Sequence, residues 1–225
     1  MTFVEKQIKK YALEDFFIGM SHYGDLQIFG GFARDLYLKV NSPIRDIDIV
    51  FDNTQNLNLY HLLAKFTKNI KINKFKGYKI EINDIKIDIW NKQDTWAFKE
   101  NLLDISYSGL EETTYLAMDS IYYNYTKQIW NTKKFDDVIS KRELDIVLLE
   151  NPNKELNLTK NLVQKKKYEE ILNFEFEFSD LMKNEYLEYA ETNDVINIYN
   201  KQISRYEEEF YSKQELYELI NSFKG

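Results

Sequence analysis

Residues 28–35 read Ile28-Phe29-Gly30-Gly31-Phe32-Ala33-Arg34-Asp35, and residues 45–49 read Arg45-Asp46-Ile47-Asp48-Ile49. The apolar run Leu26–Phe29 ends at the two glycines, and Phe32, Leu36 and Val40 then fall in line at helical spacing. This is a strand, a diglycine bend and a helix in direct succession. Glycines allow close approach to the backbone, and the free N–H groups of a helix N-terminus hydrogen-bond an anion such as a phosphate. From Ile44 to Asp52 the pattern alternates with period two. Ile47 and Ile49 face one way, Asp46 and Asp48 the other. Two carboxylates two apart on one strand face can hold divalent cations side by side. A third, Asp88 in Ile87-Asp88-Ile89, would complete a two-metal site if its strand lies next to theirs.

Each piece has a bland counterpart when taken alone. A Gly-Gly pair is commonly just a turn, and Asp46, Asp48 or Asp88 would serve as the wet face of a strand. Their order along the chain favours a site: a strand, the glycines and a helix, then Asp-x-Asp, then an Asp between isoleucines.

Working outward, Val4, Ile8, Tyr11, Ala12 and Phe16 predict one amphipathic helix over 3–17, and Leu57–Phe66 predicts another. Tyr78–Ile82 and Ile85–Trp90 predict a hairpin around Asn83-Asp84. Helices are expected over Thr113–Tyr125 and Asp136–Leu149, and helical spacing continues from Lys154 to the end. The expected fold class is α+β: a mixed, curved sheet flanked by helices over residues 1–130, then a helical part over 131–225. Pro152 is the one strong breaker in that second part and the expected joint.

Composition narrows the chemistry. Among 225 residues there is no cysteine and only His22 and His61 as histidines, which excludes thiolate and multi-histidine metal sites. Any metal must be a hard cation held by oxygens. With 44% hydrophobic and 16% aromatic residues the chain can build a packed core. The net charge of -7 argues against coating nucleic acid by charge alone, while leaving room for a local basic strip. No signal peptide is visible over Met1–Lys10, and no run reaches the ~18 apolar residues of a membrane span, so a cytoplasmic protein is expected. Of 30 basic residues only four are arginines, and two of these, Arg34 and Arg45, fall in the decisive stretch.

That stretch resembles the polymerase-β-like nucleotidyltransferase superfamily, and more narrowly the head domain of tRNA CCA-adding enzymes and bacterial poly(A) polymerases. Their motif runs G-G-x-V-R-D, a spacer, then D-x-D; here it is Gly30-Gly31-Phe32-Ala33-Arg34-Asp35, then Asp46-Ile47-Asp48. The resemblance covers roughly residues 24–178, weakly after 95. It implies transfer of a nucleoside monophosphate from an NTP, ATP or CTP, to an acceptor hydroxyl, with release of pyrophosphate. Asp46 and Asp48 would bind Mg²⁺, with Asp88 assisting and serving as base for the acceptor. Gly30, Gly31 and Arg34 would line the triphosphate and the mouth of the site, and Arg45 would contact a phosphate or form an ion pair. The implied acceptor is an RNA 3′ end, tRNA first, with a protein partner as a further source of acceptor recognition.

The chain departs from that pattern twice. The family's second head motif, of the type R-R-D-F-T-I-N-A, aligns onto Thr113–Ser120; both arginines are gone, and Asp119 stands at the nucleotide-side asparagine. The base-reading template E-D-x-x-R falls on Asn157-Leu158-Thr159-Lys160-Asn161, which has neither the acid pair nor the arginine. The helix that follows resembles the family's neck helix, with Leu172-Asn173-Phe174 at the position of its G-F-type turn. Two other readings stay open on the sequence. One is a nucleotidyltransferase toxin or defence element that modifies tRNA or a protein. The other is a catalytically degenerate nucleotide- or RNA-binding module.

Overall fold

The structure is a computed structural model that describes residues 2–40, 43–73 and 76–224. Part of the spacer between the two motifs, residues 41 and 42, lies outside the described residues. The chain divides into two compact units, residues 1–113 with 119–133, and residues 114–118 with 134–225. Pro152 lies inside the second.

The first unit opens with α1 (Phe3–Lys10) and α2 (Glu14–Ser21), where a single helix was predicted. The break falls at Ala12, whose φ of +50° is left-handed and ends the first helix. There follow β1 (Asp25–Phe29), α3 (Gly30–Tyr37), β2 (Ile47–Asp52) and α4 (Leu59–Leu63), the last shorter than predicted. Next come β3 (Ile70–Ile72), β4 (Tyr78–Ile82), β5 (Ile85–Asn91) and the single turn α5 (Trp96–Lys99). Two short strands, β6 (Tyr122–Asn124) and β7 (Ile129–Asn131), complete the set. The β4–β5 hairpin turns on Asn83 and Asp84, both at positive φ, as a two-residue loop matched to strand twist requires.

The seven strands form one mixed sheet in the order β3-β4-β5-β2-β1-β6-β7. β2 pairs with β5 in parallel and with β1 antiparallel. Alternation then sorts the side chains. Ile28, Ile47, Ile49, Ile87 and Ile89 are buried on one face, against α-helical residues such as Ile8, Phe16, Phe17, Leu36 and Leu63. The opposite face has only a small cluster, in which Val50, Phe98 and Leu110 pack with Phe29, Trp90 and Tyr122. The rest of that face carries polar side chains.

The segment predicted as a helix over 113–125 is instead two 3-10 turns, Leu110–Thr113 and Ala117–Asp119, followed by β6. Residues 114–118 belong to the second unit and cross it at Leu116: Leu116 bridges Ile146, the Ala117 N–H donates to Asp145 O at 2.9 Å, and the Val147 N–H to Tyr115 O at 2.8 Å. The helix predicted over 136–149 is also shorter. α6 (Lys133–Lys141) stops at Arg142, which takes φ +57°, and β8 (Glu143–Leu144) begins. Beyond α7 (Lys154–Leu172), the short β9 (Glu177–Phe178) pairs in parallel with β8. α8 (Asp180–Thr192), α9 (Ile196–Tyr206) and α10 (Lys213–Ser222) complete the helical part. Asn173 ends α7 at φ +55°, the left-handed cap that asparagine accepts second only to glycine. Among the described residues, no helix is long and apolar enough to cross a membrane.

The sorting of faces has a measurable consequence. Ile49→Ala, at 0% exposure in the central strand, should cost about 2–5 kcal/mol in urea denaturation. Ile72→Ala, 72% exposed on edge strand β3, should stay within about 0.5 kcal/mol of the parent protein. Equal losses would contradict this assignment of the core face.

Candidate active site

The chemistry-bearing side chains gather on the polar face of the sheet, around the bend where β1 becomes α3. Gly30 is the first residue of α3 and sits at φ +70°, a conformation open to glycine at little cost. A Cβ added there would also lie 2.8 Å from Asp48 Oδ2. Gly30 is therefore fixed twice, by its backbone and by the carboxylate pressed against it. Gly31 is different. Among the described residues, the atom nearest its Cβ direction is Arg34 Nη2 at 3.7 Å, an ordinary contact with the tip of a side chain, so this glycine has room for a methyl group beside the N-terminus of a helix.

Strand register sets the neighbours of Asp48. It pairs with Asp88 on β5 and with Phe29 on β1, so the two carboxylates stand side by side on adjacent strands. Asp46 lies two residues upstream, where β2 begins. Asp88 is fixed by two further groups: Lys79 Nζ lies 3.1 Å from its Oδ2, and Asn73 Nδ2 donates to its Oδ1 at 3.3 Å. Phe29 stacks on Tyr122 with ring centroids 6.0 Å apart, forming the apolar wall on the other side of Asp48. Burial, with the Glu111 carboxylate nearby, pushes the Tyr122 hydroxyl up to about 12, so it stays protonated.

Arg34 and Asp119 meet in a buried ion pair, Nη1 to Oδ1 at 2.6 Å, with the two residues 5% and 7% exposed. The pair ties α3 to the turn that precedes β6. The guanidinium thus joins Asp119 on one side to the face of Gly31 on the other. Arg45 forms an exposed ion pair with its neighbour, Nε to Asp46 Oδ1 at 3.3 Å. The structure therefore brings Gly30, Asp48 and Asp88 together, joins Arg34 to Asp119, and leaves Arg45 at the rim with Asp46.

Lys79 and Asn73 were not among the residues singled out from sequence. The signal for Lys79 was present: counting outward from the Asn83-Asp84 turn brings it opposite Asp88. Asn73 carried none, because its position depends on the turn between β3 and β4. In the second unit, three of the five positions aligned with a base-reading template point inward, while Asn157 and Lys160 are partly exposed. Leu158, Thr159 and Asn161 are at most 1% exposed, and Asn161 Oδ1 accepts from the Tyr186 hydroxyl at 3.0 Å.

Among the described residues, no group of three or more His, Asp or Glu side chains stands close enough to enclose a metal ion. The donors still suit magnesium, which is bound by one or two carboxylates and completes its shell with water and substrate phosphates rather than an all-protein cage. Asp48 and Asp88 provide such a pair of carboxylates on neighbouring strands. The N-terminus of α3 lies beside Asp48, and such a terminus suits a phosphate.

No protein-family model matches the sequence, and comparison with curated proteins finds no match. Comparison with solved structures does. A Thermotoga maritima CCA-adding enzyme complexed with tRNA superposes with a TM-score of 0.61 at 17% identity, over 97% of this chain and 51% of the other. A CCA-adding enzyme in complex with CTP gives 0.63 at 16% identity, over 99% and 53%. One in complex with ATP gives 0.62 at 15% identity, over 98% and 52%. The chain spans about half the length of these structures and has the fold of that part of them. The fold expected from the motif is thus matched in three dimensions.

Two sets of variants test the geometry. Gly30→Ala should lose about 1–3 kcal/mol of stability, whereas Gly31→Ala should fold within about 1 kcal/mol of the parent, since only the first meets both a left-handed backbone and a carboxylate. Asp119→Ala, which removes the carboxylate from a buried guanidinium, should cost about 3–5 kcal/mol. Denaturation midpoints measure all three, and a neutral Asp119→Ala would contradict a structural role for the pair.

Proposed function

We propose that the protein is a magnesium-dependent nucleotidyltransferase that moves a nucleoside monophosphate from ATP or CTP to the 3′ hydroxyl of an RNA, tRNA first among candidates. The observation that carries this reading is the contact of Asp48 with Gly30, with Asp88 at the paired position on the next strand. It supports carboxylates acting as metal ligands beside a helix N-terminus suited to phosphates. The fold shared with CCA-adding enzymes, some of them complexed with tRNA, CTP or ATP, supports the same reaction class.

Asp46 and Asp48 would hold the Mg²⁺, with Asp88 on the acceptor side. When bound, the ion neutralises phosphate charge and makes the acceptor hydroxyl more acidic. The chain's own groups do the rest. The backbone N–H groups at the start of α3, beside Gly31, receive the triphosphate. Arg34, clamped on Asp119, stiffens that bend. Asp88, oriented by Lys79 and Asn73, accepts the proton as the acceptor oxygen attacks the α-phosphorus. The bond from the α-phosphorus to the bridging oxygen breaks, and pyrophosphate leaves with that electron pair. The template-aligned positions Leu158 and Asn161 are packed inside the second unit, which supports an enzyme that does not select its base there. A reaction on tRNA would take place in the cytoplasm.

Replacing Asp46 and Asp48 together by Ala should lower incorporation of labelled NTP into total cellular RNA by at least about a thousandfold. The thermal melt should stay near that of the parent, because both side chains face away from the isoleucine core. Retained incorporation would refute the assignment.

A further inference from the structure

Beside the carboxylates, on the side away from Gly30, the sheet holds a cleft of about 270 Å³ lined in part by Asp46, Asp88, Asn69, Lys71, Lys79 and Lys86. The three lysines come from three strands, β3, β4 and β5, and all lie on the polar face. Lys71 sits directly opposite Lys79. Like charges opposed across a strand pair are destabilising, so this pair works against the local fold. A lysine on an edge strand guards against aggregation, and that accounts for Lys71. Lys79 and Lys86, whose strands lie inside the sheet, need no such guard and each face a carboxylate across the strand pair.

The charges in the cleft are balanced only while its carboxylates are bare. Lys79 is paired with Asp88, and Glu81 stands opposite Lys86. A divalent cation held by Asp46 and Asp48 would take over the charge of Asp46, and the three ammonium groups would then outnumber the two remaining carboxylates of the cleft, Glu81 and Asp88. The ligand they then suit is a chain of phosphodiesters. The donor's triphosphate already has a seat on the other side of Asp48, at the glycines.

The geometry points to Lys71, Lys79 and Lys86 as an acceptor subsite that binds the sugar–phosphate backbone of a single-stranded RNA 3′ end and aims its hydroxyl past Asp88. This rests on the proposed transfer reaction and adds to it a direction: donor from the α3 side, acceptor from the β3–β5 side. Lysines suit the task, because a point charge on a flexible stem tracks a backbone without reading its sequence.

The test compares the parent with Lys71→Gln/Lys86→Gln and with Lys71→Arg/Lys86→Arg. The probe is a fluorescein-labelled single-stranded oligoribonucleotide of about a dozen nucleotides, with Mg²⁺ present. Fluorescence anisotropy over a salt series should show the Gln variant binding roughly tenfold more weakly. Its slope of log affinity against log salt should be shallower by about 1.4, at about 0.7 per lost phosphate contact. The Arg variant should bind like the parent. In transfer assays the Gln variant should raise the acceptor KM with kcat and the NTP KM within about twofold. Unchanged affinity and slope would overturn the subsite, including the case of a protein acceptor. Failure of the transfer reading shows separately, as a parent protein that binds the RNA through these lysines yet incorporates no NTP.

Discussion

The working end of this molecule depends on one register, the parallel pairing of β2 with β5 that sets Asp48 against Asp88. Every other strand pair in the seven-stranded sheet is antiparallel. The register is held from behind. Ile47 and Ile49 lie beside Ile87 and Ile89 on the helix-covered face, all at most 1% exposed. A slip of one residue would turn the carboxylates into that core and the isoleucines out to water. Burying an unpaired carboxylate costs several kcal/mol or forces its protonation. The force that folds the sheet is thus the force that aims the acids.

Two kinds of ion pair then divide the polar face. Arg34 and Asp119 are almost fully buried, and their pair belongs to the framework of the diglycine bend. The pairs of Arg45 with Asp46 and of Lys79 with Asp88 have basic partners 61% and 60% exposed. Exposed pairs of this sort contribute at most about 1 kcal/mol, so a cation or phosphate can displace them readily. On the proposed reading, the same division separates a rigid donor side, built on α3, from an adjustable acceptor side, built on lysines.

Much of this was legible from sequence, for identifiable reasons. The isoleucines alternating with Asp46, Asp48, Lys86 and Asp88 left one phase for each strand, and Asn83-Asp84 marked the hairpin. The glycines announced the bend, although only the structure separates Gly30, held by φ and Asp48, from Gly31, which has room for a methyl group. The helix predicted over 113–125 failed because Leu116, Met118 and Ile121 are too few to fix a period. The Thr, Tyr and Ile content of that stretch also favours extended chain, and Leu116 found a distant partner in Ile146. Arg142 ended α6 without a glycine or proline to signal it. The Arg34–Asp119 pair spans 85 residues, a distance over which local pattern carries no information.

The most direct test of the central claim is a diffraction measurement of the protein crystallised with Mn²⁺ and a non-hydrolysable NTP analogue, at a wavelength where manganese scatters anomalously. The account predicts a manganese peak on the carboxylates of Asp46 and Asp48, beside Asp88, with the triphosphate lying over Gly31 at the N-terminus of α3. A nucleotide and metal bound elsewhere, with that carboxylate face bare, would contradict it.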